Sequence, residues 1–274
     1  LRPYIDVWGE IMAGKKVWVT WLPAGKEAPQ PEGTLKALAT VGLQVSGSPW
    51  IDDLEKMAWY DLGTTLQDPA QADLWLIVGR AEDFQSARHR YGLSLVTAMA
   101  RDRRGSGFPI LCLSLDTVPE AGAMPTLMRG LRFLSATDAG WAAKIAASFL
   151  KKIEGPAWDF RLSATGHPFI GQWFEVGPRE GEWQGVMFGV SGEGKIAHHL
   201  VGPKGQLPER SVLEYATQGI QAEVGGVAYT AWAVQNKIGP NDSYYIKVEG
   251  HPSKLMFGGH PGTDQAEVTV INLW

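Results

Sequence analysis

One cysteine, Cys112, is present in 274 residues. That excludes an internal disulfide framework and any zinc site built on paired cysteines, and it fits a reducing compartment. No run approaches the roughly 20 apolar residues that a membrane-crossing helix needs, and the first residues lack the basic-then-apolar order of a secretory signal. A surplus of positive charge is missing as well: the net charge is −4, with 17 basic and 17 acidic side chains over residues 1–155 and 8 against 12 over 156–274. Neither half carries the basic footprint of a nucleic-acid surface. The expectation is a cytoplasmic protein with neither nucleic acid nor membrane as partner. The chain opens on Leu1 and not on a methionine, which leaves room for sequence upstream.

Close to half of the residues are apolar, enough for one large or two ordinary cores. The first half alternates strand-like and helix-like segments. "KKVWVTWL" (15–22) is β-rich and runs into a Pro/Gly loop; "TLKALATVG" gives about two helical turns closed by Gly42. "LQVSG" reads as a second strand, and "LEKMAWYDLGTTLQ" as a helix interrupted near Gly63. "ADLWLIVG" (72–79) is an unbroken apolar run of the kind found in parallel sheets covered on both faces. A long helical pattern from about Asp83 to Arg103 leads to the strand "ILCLSL", a short strand in "LRFLS", and a helix in "DAGWAAKIAASFLKKI" with Asp138 at its N-cap. Strands alternating with helices predict a three-layer α/β domain with a mainly parallel sheet.

Gly155-Pro156 marks the change. Beyond it the helical period disappears, and short Val, Ile, Tyr, Trp and Phe runs alternate with turn residues. Gly225-Gly226 between "IQAEV" and "VAYTAWAV" is a strong two-residue hairpin signal, because glycine supplies positive φ at little steric cost. About eight or nine strands predict an antiparallel β-sandwich or jelly roll. The domain reading is therefore 1–155 for the α/β part and 156–274 for the sandwich. In "HPSKLMFGGHPG" (251–262) the two His-Pro pairs and Gly258-Gly259 read as punctuation around a short edge strand.

Around "ADLWLIVGRAEDFQSARHRYGLSLVTAMA" the first half resembles the TIR (Toll/interleukin-1 receptor) domain family, and flavodoxin-like domains share the outline. The resemblance covers roughly residues 13–153. It aligns Ser86 with the serine of the family's Ser-x-x-Cys-x-x-Glu helix, which puts His89 at the cysteine position and Gly92 at the glutamate position. In members that cleave NAD the resemblance implies that this glutamate carries catalysis. Gly92 offers no carboxylate, so the expectation is an interaction module.

Candidate chemistry is sparse. Open α/β sheets bind ligands beyond the carboxyl ends of their strands, which here nominates Gly25 and Lys26 after the first strand, Gly79 and Arg80 after the third, and Ser86. Lys26 and Arg80 would hold a small anionic ligand. The loop after the first strand carries neither G-x-G-x-x-G nor G-x-x-x-x-G-K-[ST]. Asp52 and Asp53 lack a third convergent group and read as first-turn charges. Five of the six histidines lie in the second half, without H-x-H or H-E-x-x-H spacing, so neither metal nor cofactor is expected. His198 and His199 are adjacent on a strand and must face opposite ways. The tryptophans and tyrosines of the β half suit either a sandwich core or an exposed sugar- or protein-binding face, with core favoured.

The resulting functional expectation is a non-enzymatic signalling or scaffold protein that binds another protein. The alternatives are a nucleotide- or phosphoryl-ligand-binding enzyme at the strand-end crevice and a carbohydrate-binding sandwich.

Overall fold

A computed structural model describes residues 14–22, 31–150, 154–260 and 267–274. The first half contains β1 (Lys16–Trp21), α1 (Glu32–Thr40), β2 (Gln44–Pro49), α2 (Trp59–Gln67), β3 (Leu74–Gly79), α3 (Ala81–Gln85), α4 (Ala87–Arg104), β4 (Ile110–Ser114), β5 (Arg132–Ser135) and α5 (Trp141–Ser148). Its five strands are parallel and ordered β2-β1-β3-β4-β5, the flavodoxin-like arrangement. The apolar runs "LWLIVG" and "ILCLS" are buried on every residue because helices cover both sheet faces. On one face Val17, Val19, Leu74 and Leu76 pack with Leu38 of α1 and Ile145 of α5. On the other, Trp75, Ile77 and Cys112 pack with α2 and α4.

The second half contains β6 (Phe160–His167), β7 (Gly171–Pro178), β8 (Trp183–Gly192), β9 (Lys195–Pro203), β10 (Thr217–Val224), β11 (Val227–Ile238), β12 (Asp242–Glu249), β13 (Pro252–Gly259) and β14 (Glu267–Asn272). They form two antiparallel sheets, ordered β6-β7-β12-β9 and β10-β11-β8-β13-β14. Gly225 (φ 58°) and Gly226 (φ 74°) close the β10–β11 hairpin between Val224 and Val227, as the two-glycine signal predicts.

The two halves share apolar packing. β6 and β14 are each at the edge of their sheet, and α4 lies against this open side of the sandwich. Tyr91 Oη donates to Gln172 Oε1 (2.9 Å), Ser94 Oγ donates to the Leu273 carbonyl (3.0 Å), and the Asn272 amide donates to Thr126 Oγ1 (2.9 Å). One apolar cluster runs from Trp75 and Leu95 through Leu162 and Phe257 to Leu273. Residues Tyr91 to Arg101 of α4 are all buried, the condition of a helix packed all round.

Four expectations are corrected. α2 is not interrupted at Gly63; that residue lets Met99 of α4 approach, since a Cβ there would meet its Sδ at 2.4 Å. The single helix expected from Asp83 to Arg103 is two, because Ser86 leaves the helical conformation (ψ 123°) to cap α4. Gly140, not Asp138, caps α5; Asp138 instead accepts the Gly140 amide in a local turn (2.9 Å). "KLMF" belongs to an eight-residue strand paired on both sides, with β8 and β14, and Leu255, Met256 and Phe257 are buried. A strand in the middle of its sheet needs apolar residues on both faces, which the short run hides.

Candidate functional site

Gly79 ends β3, and a Cβ on it would meet Leu22 side-chain atoms at 3.0 and 3.1 Å and Asp83 Cβ at 3.3 Å. Leu22, which follows β1, is buried and packs against Gly79 at this end of the sheet. Arg80 follows in an extended conformation; its amide donates to Asp83 Oδ2 (2.8 Å) and starts α3. The exposed Arg80 side chain has an acid near it. Asp116, beyond β4, accepts from the Ala81 amide (2.8 Å) and from Ser114 Oγ (3.2 Å). The Ala81 amide first, and the Arg80 charge last, hold Asp116 below the usual carboxylate range. Ser86 Oγ accepts the His89 amide (3.4 Å) as the N-cap of α4. Gly79, Arg80 and Ser86 thus stand in one strand-to-helix stretch, each engaged locally, whereas Gly25 and Lys26 lie outside the described residues.

Along α4, His89 is buried, its Nδ1 3.0 Å from the Asp83 carbonyl and its ring edge-on to Trp50. Gly92 faces the same indole: a Cβ would sit 2.5 Å from Trp50 Cζ2 and 2.6 Å from Cη2. The glutamate that the TIR resemblance associates with this position has no room here unless Trp50 moves. Asp52 pairs with Arg88 (3.1 Å) and Asp53 with Lys56 (3.1 Å) on the surface; α2 begins only at Trp59, so neither is the first-turn helix charge expected, and Asp53 Oδ1 accepts the Lys56 amide (3.0 Å) in a turn instead.

A polar cleft of about 880 Å³ lies where α2 and α4 meet β6 and β7. Tyr60, Thr64 and Gln67 of α2, Asp102 of α4, Glu175 of β7 and Lys204 line it. Asp102 Oδ1 is buried and has no hydrogen-bond partner among the described residues. Burial raises its pKa; Glu175 adds to the rise, and Lys204 and Arg161 oppose it. Glu175 is well supported: its Oε1 accepts from the Gly205 amide (2.7 Å) and Ser243 Oγ (2.7 Å), with Arg161 Nη1 at 3.7 Å. The cleft thus brings together two carboxyl groups in unlike surroundings, Asp102 without a partner for its buried oxygen and Glu175 held by two donors. Sequence reading passes over both, because Asp102 sits in the charge run "RDRR" and Glu175 in a strand with no local motif.

The remaining candidates are structural. His199 is buried, with Nδ1 2.7 Å from Tyr244 Oη and the ring edge-on to Trp232; burial pushes its pKa down to about 4. His198 points the other way, edge-on to Trp173, as strand alternation requires. Among the described residues no group of three His, Cys, Asp or Glu side chains could hold a metal. Trp173, Tyr229, Tyr244 and Tyr245 are buried, and Trp158, Trp183 and Trp232 pack against the core, so these aromatics fill the sandwich. Cys112 is buried and its thiol pKa is pushed up by that burial, which makes it inert.

No family model matches the chain, and no curated protein matches it. Among solved structures, a mutant of the receiver domain of the histidine kinase CKI1 from Arabidopsis thaliana is similar at 18% identity. The match covers 53% of this chain and 95% of that one, with a TM-score of 0.36. The flavodoxin-like assignment rests on the parallel sheet and its strand order. No described helix is long and apolar enough to cross a membrane.

Proposed function

We propose that this chain is a non-enzymatic signalling or scaffold protein, in which a degenerate TIR-like layer and the β-sandwich act together to bind another protein. The observation that carries this reading is the contact of Gly92 with Trp50, which removes both the carboxylate and the space for one. Leu22 packed on Gly79 supports it further, because it takes up space at the strand end where ligands of such sheets bind. The loop after β4 adds a surface for a protein partner: Leu115 and Val118 are 44% and 47% exposed beside the strand ends. A cytoplasmic location belongs to the same proposal and is supported by the lone cysteine being a buried thiol.

The test is to incubate the full chain at micromolar concentration with NAD, ATP and GTP and to separate products by chromatography. The expected result is recovery of all three intact. Sustained multiple-turnover release of nicotinamide or nucleoside diphosphate overturns the reading.

A further inference from the structure

A second cavity, of about 560 Å³, opens at the N-terminal ends of β4 and β5, at the end of the sheet opposite Arg80. Arg101, Arg129, Arg132 and Lys144 line it against one carboxylate, Glu154. Lys144 is bonded to Asp138, so among the described residues three guanidinium groups face the Glu154 carboxylate across the chamber lining. Phe108, Ile110 and Leu131 supply an apolar wall.

Arg101 is the informative residue. It is 5% exposed, one Nη donates to the Leu127 carbonyl (2.8 Å), and its guanidinium lies over the Trp158 ring at 5.4 Å. Its Nε is buried and has no partner among the described residues. Burial alone lowers its pKa, to about 10, with no carboxylate restoring it; the group remains a cation at neutral pH. A buried cation is costly unless an anion and hydrogen bonds compensate it. The ring face and one carbonyl compensate in part, and the remaining charge is left to whatever the cavity that Arg101 lines holds. Arg129 and Arg132 are exposed and line the cavity; Arg129 Nε donates to the Met124 carbonyl (3.4 Å).

We infer that this cavity binds a small phosphorylated molecule with an apolar or planar body, of nucleoside monophosphate size, the phosphate held by Arg101, Arg129 and Arg132. Guanidinium forks match phosphate oxygens in pairs, which single ammonium groups do not. The volume falls within the range of small-molecule pockets, the apolar wall suits a base or similar ring, and Glu154 can accept from a sugar hydroxyl. The inference goes beyond the scaffold reading and does not depend on it, because binding requires no turnover.

Calorimetric titration of the full chain with adenosine monophosphate, inorganic phosphate and adenosine tests it. The expected result is saturable binding of the monophosphate, at least about tenfold weaker binding of inorganic phosphate, which has no body to bury on the apolar wall, and none of adenosine, which lacks the charged hydrogen bonds. Arg129→Gln with Arg132→Gln should weaken the monophosphate at least about tenfold, and so should Arg101→Lys, which keeps the charge and loses the fork. Should Arg101→Lys fail to fold, the double variant at two exposed positions carries the test alone. Arg80→Gln, at the other end of the sheet, should leave binding unchanged. Absence of binding by both phosphates, equal affinity in the double variant, or an equal loss in Arg80→Gln overturns the proposal. Equal binding of phosphate and monophosphate overturns the assignment of the apolar wall to a ligand body.

Discussion

Replacing Gly92 by alanine adds one methyl group in the middle of α4, and two effects of opposite sign follow. Helix propensity favours alanine over glycine by about 1 kcal/mol. The new Cβ, however, lands 2.5 and 2.6 Å from two carbons of the Trp50 ring, which is itself only 4% exposed. Forcing a carbon into a filled core costs about 1–3 kcal/mol. The net expectation is a loss of roughly 1 kcal/mol, the overpacking exceeding the propensity gain. In a Trp50→Leu background the ring is gone, so the same substitution should become stabilising by about 1 kcal/mol. Urea unfolding of the four proteins, followed by circular dichroism, gives the coupling as a double-mutant cycle. Gly92→Ala raising the urea midpoint with Trp50 present, or shifting it equally in both backgrounds, would refute the reasoning and reopen this position to a larger side chain. Glutamate extends three heavy atoms further, so Gly92→Glu is expected to cost more than alanine.

The remaining predictions concern acid sensitivity and the junction. His199 titrates near 6.5 when unfolded and near 4 when folded, so the native state excludes its proton. That contribution is fully present above pH 6.5 and is lost as the pH falls toward 4, at up to about 1.4 kcal/mol per unit. His199→Gln should flatten this slope in tryptophan-monitored unfolding, and an unchanged slope would refute the assignment. Expressed alone, residues 156–274 should aggregate or unfold without a cooperative transition, since α4 no longer covers β6 and Leu273 and the Thr126–Met128 turn no longer covers β14; a monomeric fragment with a sharp transition would show that the sandwich is a domain on its own.

How far the sequence discloses this molecule depends on how many neighbours each element has. "LWLIVG" and the Gly225-Gly226 hairpin are readable because one period or one turn rule governs each. β6 is not readable: "FRLSATGH" lies between the sandwich interior and α4, so most of its residues are buried on both faces and hydrophobic alternation gives way to small and polar side chains. Arg161 within it is buried because it donates to the Pro178 carbonyl (3.0 Å) and Ser243 Oγ (3.0 Å), partners that no local pattern announces. The cleft is hidden for the same reason. Asp102 and Glu175 come from different layers and meet only after the halves dock, while the strand-end residues are nominated by a general rule of α/β sheets and need no such docking.

The burial of α4 from Tyr91 to Arg101 also bears on how such a chain can be recombined in evolution. The change of architecture at Gly155-Pro156 looks like a seam along which modules could be exchanged, yet the lid of the second module is encoded some fifty residues before it. A crossover at the seam would hand the sandwich a foreign helix, whose surface would have to match Gln172 and Leu273 on one side and Trp50 and Gly63 on the other. The heritable unit is therefore the pair, and relatives that keep the sandwich are expected to keep a matching fourth helix with it.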